Sequence, residues 1–517
     1  MGTAQGIFLT GATGLLGRYL LRDLLASGHS VGVLIRDITA ASAAERLAEL
    51  QWFCQESLQH SLPRPTLLAG DLRAPGLGLG VAERRWLTRH ARAVIHSAAY
   101  VSYQPTPDGE PWQSNVLGTR HLLELCQSLG ITQIHHLSTA FVCGDRHGLV
   151  REDELDCGSG STNAYERSKF AAEKQVRRFP GIQATIYRPS VIVGDSRTGY
   201  TCTYHHFYRF LELAVRLSAR RQHLSLRLPL TGMEKQNLVP VDWVAQALLT
   251  LLDRPKWHGR TYHLVAWQSV RLKEIQNILS ELLPLQGIQW VGPGGLADPT
   301  LLEQLVLEQF RDYWSYLYRN LDFDCRNAKQ ALADLPPPHF NQLLVKHLLE
   351  FAQADNWGRR RRRPSSPSFS ATEAGKRPSA CAYYLESVLP QQLRHSSLAQ
   401  TLPHNLRFAL NIRGPGGGRW TFHCGGDGTL SVKRGEHSAP EVIYHIDEDT
   451  FVRLIRGRQS AQRAFLDGQI EIEGNIEKAL KLAMFIEQFL IESRLPVSDA
   501  SKHPLREPRF VKVSLTE

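Results

Sequence analysis

The stretch GIFLTGATGLLGRYLLRDLL, residues 6–25, decides how the first part of this chain folds. It begins with a short apolar run, which is typical of a buried strand, and ends with leucines at helical spacing. Between them lie Gly11, Gly14 and Gly17. Glycines in this arrangement allow a tight turn, a close approach of backbone to phosphate groups and close packing of helix on strand. Since a helix N-terminus adds N–H donors and positive potential, the stretch predicts a binding site for a dinucleotide pyrophosphate.

The sequence around this stretch alternates short apolar runs with amphipathic helical segments up to about residue 190. The strand candidates are residues 6–10, 30–36, 65–70, 93–99, 133–139 and 184–190. The alternation is typical of an α/β fold, a doubly wound parallel (Rossmann) sheet with helices on both faces. This context favours the dinucleotide site over an isolated glycine-rich loop, the alternative for the motif alone. We assign residues 1–194 to the Rossmann core and the helix-rich residues 195–355 to a substrate-binding subdomain.

The composition changes abruptly after residue 355. Residues 356–380 are rich in Arg, Ser and Pro and are predicted to form a disordered linker. Strand-like runs separated by glycines, with a helix-like run at 477–493, then indicate a second, α+β domain over residues 381–495, followed by a polar tail, 496–517. The unbroken arginine run 359–363 is interpreted as a solvated part of the linker. Peripheral contact with an anionic membrane or an acidic carrier protein is the alternative, and nucleic-acid binding is disfavoured because no recognition fold accompanies the run.

Composition and charge exclude several classes of protein. The 517 residues are 42% hydrophobic and 21% charged, as in soluble globular chains of more than one domain. The net charge of +10 owes five of its units to the arginine run 359–363. Eight cysteines without paired spacing argue against a disulfide framework and a structural zinc site, so we expect no metal. Neither a signal-peptide pattern nor a long apolar segment occurs, and we expect a cytoplasmic protein.

The residue at the end of the second predicted strand bears on the choice of cofactor. An acidic side chain there would accept a hydrogen bond from the ribose 2′-hydroxyl of NAD, but the chain has Arg36, whose planar guanidinium suits a 2′-phosphate. Asp37 follows at once and leaves NADH open. Arg46, on the next predicted helix, is either a second cation for the phosphate or part of a solvated helix face. The pattern favours NADPH over NADH.

Tyr165 and Lys169, in NAYERSK (163–169), are four residues apart and would share one helix face. A free phenol has a pKa near 10, and we expect the nearby ammonium to lower it so that Tyr165 exchanges a proton with a substrate oxygen. Thr139 ends another predicted strand, and its hydroxyl together with that of Tyr165 would hold a carbonyl oxygen during hydride transfer. Alone, the Tyr–Lys spacing fits an ordinary surface pair; behind the glycine motif it predicts a catalytic pair.

Residues 6 to about 345 resemble the extended short-chain dehydrogenase/reductase family. The resemblance is carried by TGATGLLG (10–17), GDL (70–72), HSAA (96–99), NVLGT (115–119), YERSK (165–169) and YRPSVIVG (187–194). It implies that Thr139, Tyr165 and Lys169 are the catalytic trio. The cofactor contacts that it implies are Gly11, Thr13, Gly14, Leu15, Leu16, Gly17, Arg36, Arg46, Asp71, Leu72, Ala98, Ala99, Asn115, Lys169, Pro189 and Ser190.

Three further stretches resemble the thioester reductase and fatty acyl reductase branch of that family: IYRPSVIVGDSRTGY (186–200), NLVPVDWVAQALL (237–249) and FDCRNAKQAL (323–332). Arg36 and Arg46 fall where this branch has its 2′-phosphate arginines, whereas Leu15 and Cys143 depart from its usual Phe and Tyr. The resemblance implies NADPH-dependent reduction of a lipid-like acyl thioester to an aldehyde, which a second hydride would convert to the alcohol. The acyl group would arrive already activated, on coenzyme A or on an acyl-carrier protein.

Residues 381–495 resemble a sterol carrier protein-type lipid-binding domain. The resemblance is carried by APEVIYHIDEDTFVRLIRGRQSAQRAFLDGQIEIEGNIEKALKL (439–482). It implies an apolar tunnel for acyl chains or sterols, although an ordinary core or an interaction module remains open. Two other functions also remain open for the whole chain: a hydroxysteroid or lipid alcohol dehydrogenase, and a lipid carrier or scaffold without turnover. The oligomeric state is left undetermined.

Overall fold

The computed structural model describes residues 5–38, 41–155, 160, 163–218, 225–359, 379–393, 406–425, 430–435, 440–466, 468–474, 478, 479, 482 and 486. The chain divides into two compact units. The first comprises Met1–Leu296 with Asp312–Ser366, and the second comprises Ala297–Arg311 with Pro367–Glu517. The boundaries assigned above at residues 194, 355, 380 and 495 stay predictions.

The strands of the first unit are, in chain order, Gly6–Thr10 (β1), Ser30–Ile35 (β2), Thr66–Ala69 (β3), Ala91–His96 (β4), Gln133–Leu137 (β5), Gly148–Val150 (β6), Gln183–Pro189 (β7), Val191–Val193 (β8), Leu226–Leu228 (β9), Lys235–Gln236 (β10), Leu238–Pro240 (β11), Thr261–Leu264 (β12), Val270–Arg271 (β13), Ile288–Trp290 (β14) and Leu321–Phe323 (β15). Those of the second unit are Arg407–Arg413 (β16), Gly418–Cys424 (β17), Leu430–Arg434 (β18), Val442–Asp447 (β19) and Ile470–Gly474 (β20).

The α-helices are, in chain order, Leu15–Ala26 (α1), Ala43–Leu58 (α2), Val81–His90 (α3), Gly118–Leu129 (α4), Ala164–Arg178 (α5), Phe207–Ser218 (α6), Val241–Leu252 (α7), Leu272–Leu282 (α8), Leu301–Gln309 (α9), Arg311–Tyr318 (α10), Arg326–Ala331 (α11), Gln342–Ala354 (α12), Ala380–Tyr383 (α13), Leu389–Leu393 (α14), Glu448–Ile455 (α15) and Ala461–Leu466 (α16). None of these helices is both long and apolar enough to cross a bilayer, a statement limited to the part of the chain that the structure describes.

The first unit is built on a seven-stranded parallel sheet in the order β12–β7–β5–β4–β1–β2–β3. The chain moves from β1 to β2 and β3 on one side and to β4, β5 and β7 on the other. The carboxyl ends of β1 and β4 therefore flank the topological switch point, where open α/β sheets bind ligands. The predicted Rossmann fold is confirmed. The last strand, β12, was not predicted, because four residues that rejoin the sheet after a long excursion carry no local alternation.

Both faces of this sheet are covered, which explains the continuous apolar character of its strands. Ile7 and Leu9 of β1 pack on one face in a cluster that includes residues of α1, α2 and α7. Phe8, between them, packs on the opposite face in a cluster that includes residues of α3, α4 and α5. The alternating directions of strand side chains thus place consecutive residues of β1 in two different cores.

The second unit contains a five-stranded sheet in the order β18–β17–β16–β19–β20, in which only β16 and β19 pair in parallel. These strands correspond to the predicted runs, and the α+β class is confirmed. The predicted helix 477–493 lies mostly outside the described residues, although Ala479 and Leu482 are fully buried in the core of this unit. Residues 360–378 of the predicted linker and the tail 496–517 also lie outside them.

Three buried histidines lie on β4 and β5, and each is less than 2% exposed. Burial lowers the pKa of His96 and of His135 to about 3 and lowers that of His136 well below its usual value; the charge of Lys169 adds to the effect at His96 and His136. His96 and His135 hydrogen-bond through their rings, whereas neither ring nitrogen of His136 has a partner. These imidazoles are neutral core side chains.

We expect the free energy of unfolding to decrease as the pH falls below about 6.5. Above that pH these rings are neutral in both states, but below it the unfolded chain binds protons that the folded chain cannot accept until about pH 3. Each such histidine contributes a slope of about 1.4 kcal/mol per pH unit. Denaturant unfolding between pH 7.5 and 4.5 measures the slope.

The substitution His136→Leu should reduce that slope by the contribution of one proton, because it removes a ring that makes no hydrogen bond. The matched substitution His60→Leu removes an exposed ring and should leave the slope unchanged. An equal slope in wild type and His136→Leu would contradict this account.

Candidate active site

The turn between β1 and α1 uses its three glycines for three different purposes. Gly11 has a φ of +80°, and a side-chain Cβ there would lie 2.5 Å from the backbone nitrogen of Ala98. A Cβ on Gly17 would lie 2.0 Å from the carbonyl oxygen of Gly11, so α1 packs directly on the turn. Gly14 is exposed and begins α1 without a side-chain cap. Because no side chain caps this helix and Gly14 is exposed, the N–H groups at the start of α1 are accessible to an anionic pyrophosphate. Leu15 and Leu16 form the first turn of α1.

Two arginines lie together at the carboxyl ends of β1 and β2. The guanidinium of Arg46 donates to the carbonyl oxygen of Arg36 (2.7 Å) and to the hydroxyl of Thr13 (3.2 Å). Burial and the charge of Arg36 both lower the pKa of Arg46. The carboxylate of Asp37 accepts a hydrogen bond from the backbone N–H of Ala43, at the start of α2. This arrangement provides two neighbouring cations and engages one oxygen of the Asp37 carboxylate at the start of α2, which fits a 2′-phosphate.

Four further predicted residues lie at the neighbouring strand ends. Asp71 follows β3, pairs with Arg73 (2.9 Å) and lies 3.8 Å from Arg36. Leu72 is buried. After β4, Ala98 is half-buried and Ala99 is exposed. The N–H of Ala98 donates to the hydroxyl of Thr10, at the end of β1, over 3.4 Å. The loops after β1, β3 and β4 thus meet around the switch point.

The last three predicted cofactor contacts lie in or next to elements of the fold: Asn115, Pro189 and Ser190. The Asn115 amide is 1% exposed, accepts from the N–H of Tyr100 (2.7 Å) and donates to the hydroxyl of Ser168 (2.8 Å). It therefore fixes the loop after β4 against α5. Pro189 ends β7, and the Ser190 hydroxyl donates to the Asn237 side chain over 2.7 Å.

Tyr165 and Lys169 lie on α5, which begins after Asn163, whose side chain caps the helix by accepting from the N–H of Glu166. The Lys169 ammonium is buried and donates to the carbonyl oxygen of Leu137, the last residue of β5, over 2.6 Å. Burial lowers the pKa of Lys169 to about 8, although the charge of Glu173 partly opposes this. Lys169 is thus held at the carboxyl end of the central sheet.

The expectation that Lys169 lowers the pKa of Tyr165 is wrong for this structure. Burial raises the pKa of Tyr165 to about 12, and the charge of the adjacent Glu166 adds to the increase. The reason is that a buried phenolate loses its hydration and the ammonium is directed at Leu137. Tyr165 is therefore a protonated hydroxyl at neutral pH.

Thr139 lies two residues after β5 and is 6% exposed. Its hydroxyl accepts from the N–H of Phe141 over 3.3 Å and caps a short helical turn, Ala140–Cys143. Its neighbour Ser138 donates to Glu173 of α5 over 2.5 Å. The end of β5 is thereby tied to the helix that carries Tyr165 and Lys169, and the predicted trio lies on two adjoining elements.

Sequence reasoning missed two buried ion pairs that hold α5. Arg319 pairs with Glu166 over 2.6 Å, and Arg188 of β7 pairs with Glu173 over 2.7 Å. Both glutamates are fully buried. Burial alone would raise the pKa of Glu173, but the charge and hydrogen bonds of Arg188 keep it below its usual value. No local pattern signals these pairs, because Glu166 and Arg319 are 153 residues apart.

Aromatic side chains surround the first turn of α5. The Tyr316 hydroxyl accepts from the Asn163 amide over 3.0 Å, and the ring of Tyr103 contacts those of Tyr313 and Tyr316 edge to face or tilted. Burial raises the pKa of Tyr103, and the neighbouring phenols Tyr313 and Tyr165 add to the increase. Within the described ranges, no group of three or more His, Cys, Asp or Glu side chains is placed to hold a metal ion.

Comparison with known proteins gives two family matches. Residues 9–248 match the model described as male sterility protein, an NAD-binding family, and residues 387–487 match the SCP-2 sterol transfer family. The nonribosomal peptide synthetase asaC of Aspergillus flavus is 30% identical over 63% of this chain and 34% of its own length. The aldehyde reductase lnaA of the same organism is 28% identical over 65% of this chain and 34% of its own. The chain thus spans about a third of the length of these curated relatives.

A solved structure, the terminal R domain from the myxalamid PKS-NRPS biosynthetic pathway, is 28% identical and superposes with a TM-score of 0.56. The match covers 69% of this chain and 92% of that domain. Residues 9–248 therefore carry an NAD-binding domain of the male sterility protein type, which is similar to thioester reductases, and residues 387–487 carry an SCP-2 sterol transfer domain.

Proposed function

We propose that the first unit reduces an acyl thioester to an aldehyde with NADPH, and that the second holds the lipid-like acyl chain. The observation that carries this proposal is the placement of Thr139, Tyr165 and Lys169 at the carboxyl end of β5, two strands from the glycine turn of β1. Two relatives support it: one is a nonribosomal peptide synthetase, and the other is an aldehyde reductase. Coenzyme A and an acyl-carrier protein are both suitable donors.

Each residue of the proposed trio would have its own role in the reduction. Bound NADPH supplies a hydride to the thioester carbonyl carbon. The Tyr165 hydroxyl, which is protonated at neutral pH, and the Thr139 hydroxyl would donate to the carbonyl oxygen and stabilise its developing charge. The positive charge of Lys169 would favour the same oxyanion. Collapse of the hemithioacetal then breaks the C–S bond and releases a thiol and the aldehyde, which a second hydride would convert to the alcohol.

NADPH is proposed rather than NADH because of the charges after β2. Arg36 and Arg46 lie in contact, and Asp37, the residue that would favour NADH, accepts from Ala43 at the start of α2. A 2′-phosphate would place its negative charge between two guanidinium groups, where charge-assisted hydrogen bonds are about twice as strong as neutral ones. One oxygen of the Asp37 carboxylate is already engaged by the N–H of Ala43, which disfavours its use for the ribose 2′-hydroxyl of NADH.

The substitution Tyr165→Phe should reduce thioester turnover by about 10²- to 10⁴-fold, because it removes the proton donor to the carbonyl oxygen. NADPH binding, followed by nucleotide fluorescence, should be unchanged. The assay follows NADPH absorbance together with thiol release from acyl-coenzyme A. Exposed Tyr383→Phe is the matched control.

Two outcomes would contradict the reductase proposal. Turnover of secondary alcohols with NADP⁺, without any thiol release from thioesters, would identify a lipid alcohol dehydrogenase instead. Saturable binding of a fluorescent lipid without turnover of either substrate class would identify a carrier.

The substitution Arg36→Ala should weaken NADPH binding by about 10- to 100-fold and leave NADH binding within about twofold, because the lost contact is with the 2′-phosphate. Arg36 is 41% exposed and its ion pair with Asp71 is 3.8 Å long, so its loss costs little folding stability. Titration of both nucleotides against wild type and Arg36→Ala measures the ratio. Equal losses for the two nucleotides would remove the argument for NADPH.

A further inference from the structure

A pocket opens beside the catalytic helix in the first unit. Its apolar lining comes from Phe141, Val191, Tyr316, Leu321 and Phe323. Its polar lining comes from His206, Lys235, Gln236, Asn237 and Arg319.

Two contacts tie this pocket to the catalytic residues. The N–H of Phe141, in the pocket wall, donates to the hydroxyl of Thr139. Arg319, also in the wall, pairs with Glu166, the residue next to Tyr165. A carbonyl group held by Thr139 and Tyr165 would therefore have its acyl substituent close to this pocket.

Most polar groups of the lining already have partners. The Lys235 ammonium contacts both carboxylate oxygens of Asp322 (2.7 and 2.9 Å), and the guanidinium of Arg319 pairs with Glu166. The Asn237 amide accepts from Ser190 and Ala266 and donates to the carbonyl of Ala266 and the hydroxyl of Ser269; the Gln236 amide donates to the carbonyl of Lys235. The two cations are thus neutralised, and the amides are engaged.

His206 differs from these groups. Its ring nitrogen Nε2 is buried without a hydrogen-bond partner, while the ring lies edge to face against Tyr313 and Tyr316, both at 5.1 Å between centroids. Its backbone has a φ of +51°, the left-handed region that non-glycine residues rarely adopt. An unsatisfied buried nitrogen and a strained backbone both cost free energy, and strained backbone clusters at functional sites.

The charge state of His206 limits what it can bind. Burial, together with the charges of Arg319 and His205, lowers its pKa to about 4, so the imidazole is neutral at physiological pH. A neutral imidazole provides one N–H donor and one acceptor and no charge. The pocket therefore suits an uncharged hydrogen-bonding group rather than a carboxylate or a phosphate.

We propose that His206 Nε2 hydrogen-bonds an uncharged polar substituent, a hydroxyl or an amide, on the acyl group of the substrate, and that it makes the enzyme prefer such acyl groups to plain alkyl chains. This inference rests on the proposed function and deepens it by naming the acyl class. The aromatic rings around His206 pack the hydrocarbon near the carbonyl, and the imidazole selects the substituent. An alkyl chain without that substituent leaves Nε2 unsatisfied, which is how a site built around a hydrogen bond rejects an analogue.

The test compares octanoyl-coenzyme A with its 3-hydroxyoctanoyl and 3-acetamidooctanoyl counterparts, in wild type, His206→Phe and the control His205→Phe. His205 is exposed and does not line the pocket. Wild type and the control should prefer at least one polar acyl group. His206→Phe should lose about 10- to 100-fold in kcat/KM for that substrate and change by less than about threefold for octanoyl-coenzyme A. Equal losses on all three substrates, or no preference in wild type, would overturn the inference.

A second measurement needs no turnover and separates failure of this inference from failure of the proposed function. Calorimetric titration compares 1-octanol, 1,3-octanediol and 3-acetamido-1-octanol in wild type and His206→Phe. A preference for a polar alcohol that disappears in His206→Phe supports the site even if no thioester is reduced, and equal affinities in wild type overturn it. Unchanged 1-octanol affinity and thermal midpoint in His206→Phe would show that the variant is folded.

Discussion

Two buried carboxylates on one helix govern the geometry of the site. Glu166 and Glu173 of α5 have no exposure to solvent, and each is neutralised by an arginine from another segment, Arg319 or Arg188. Burying an ionised carboxylate is costly unless a partner with good geometry compensates for its lost hydration. Loss of either arginine would leave a buried carboxylate uncompensated, so both pairs favour the observed packing of α5.

The positions of Lys169 and Thr139 follow from that anchoring. Lys169 lies between the two carboxylates in sequence and reaches the carbonyl of Leu137 at the end of β5. Glu173 also accepts from Ser138, the neighbour of Thr139, so the strand end that carries Thr139 is tied to the same helix. Arg319 extends the network into the wall of the pocket that contains His206. One set of charge-assisted contacts thus connects α5 with the wall of the pocket.

Much of the fold and part of the site could be predicted from local patterns. The glycine turn and the spacing of Tyr165 and Lys169 depend on residues a few positions apart, where backbone conformation and helical periodicity dominate. The strand β12 could not be predicted, since its place in the sheet depends on pairing with β7 and not on its own four residues. The part that Asp37 plays in cofactor choice was ambiguous for a similar reason. Its carboxylate could hydrogen-bond either a ribose or the first N–H groups of α2, and which it does depends on where α2 begins. The pKa of Tyr165 was predicted in the wrong direction, because proximity along a helix says nothing about burial or about where the ammonium points.

The sequence by itself determined that this chain has a parallel α/β sheet with a dinucleotide-binding turn, a Tyr–Lys pair on one helix and a second α+β domain. These properties follow from periodicity and from the special conformations of glycine, which act over short distances along the chain. Only the tertiary structure decided that the pKa of Tyr165 is raised, that Arg319 and Arg188 hold α5, and that His206, a residue of the pocket lining, has a buried ring nitrogen without a hydrogen-bond partner. These properties depend on dehydration and on contacts between residues far apart in sequence, which exist only once the chain has folded.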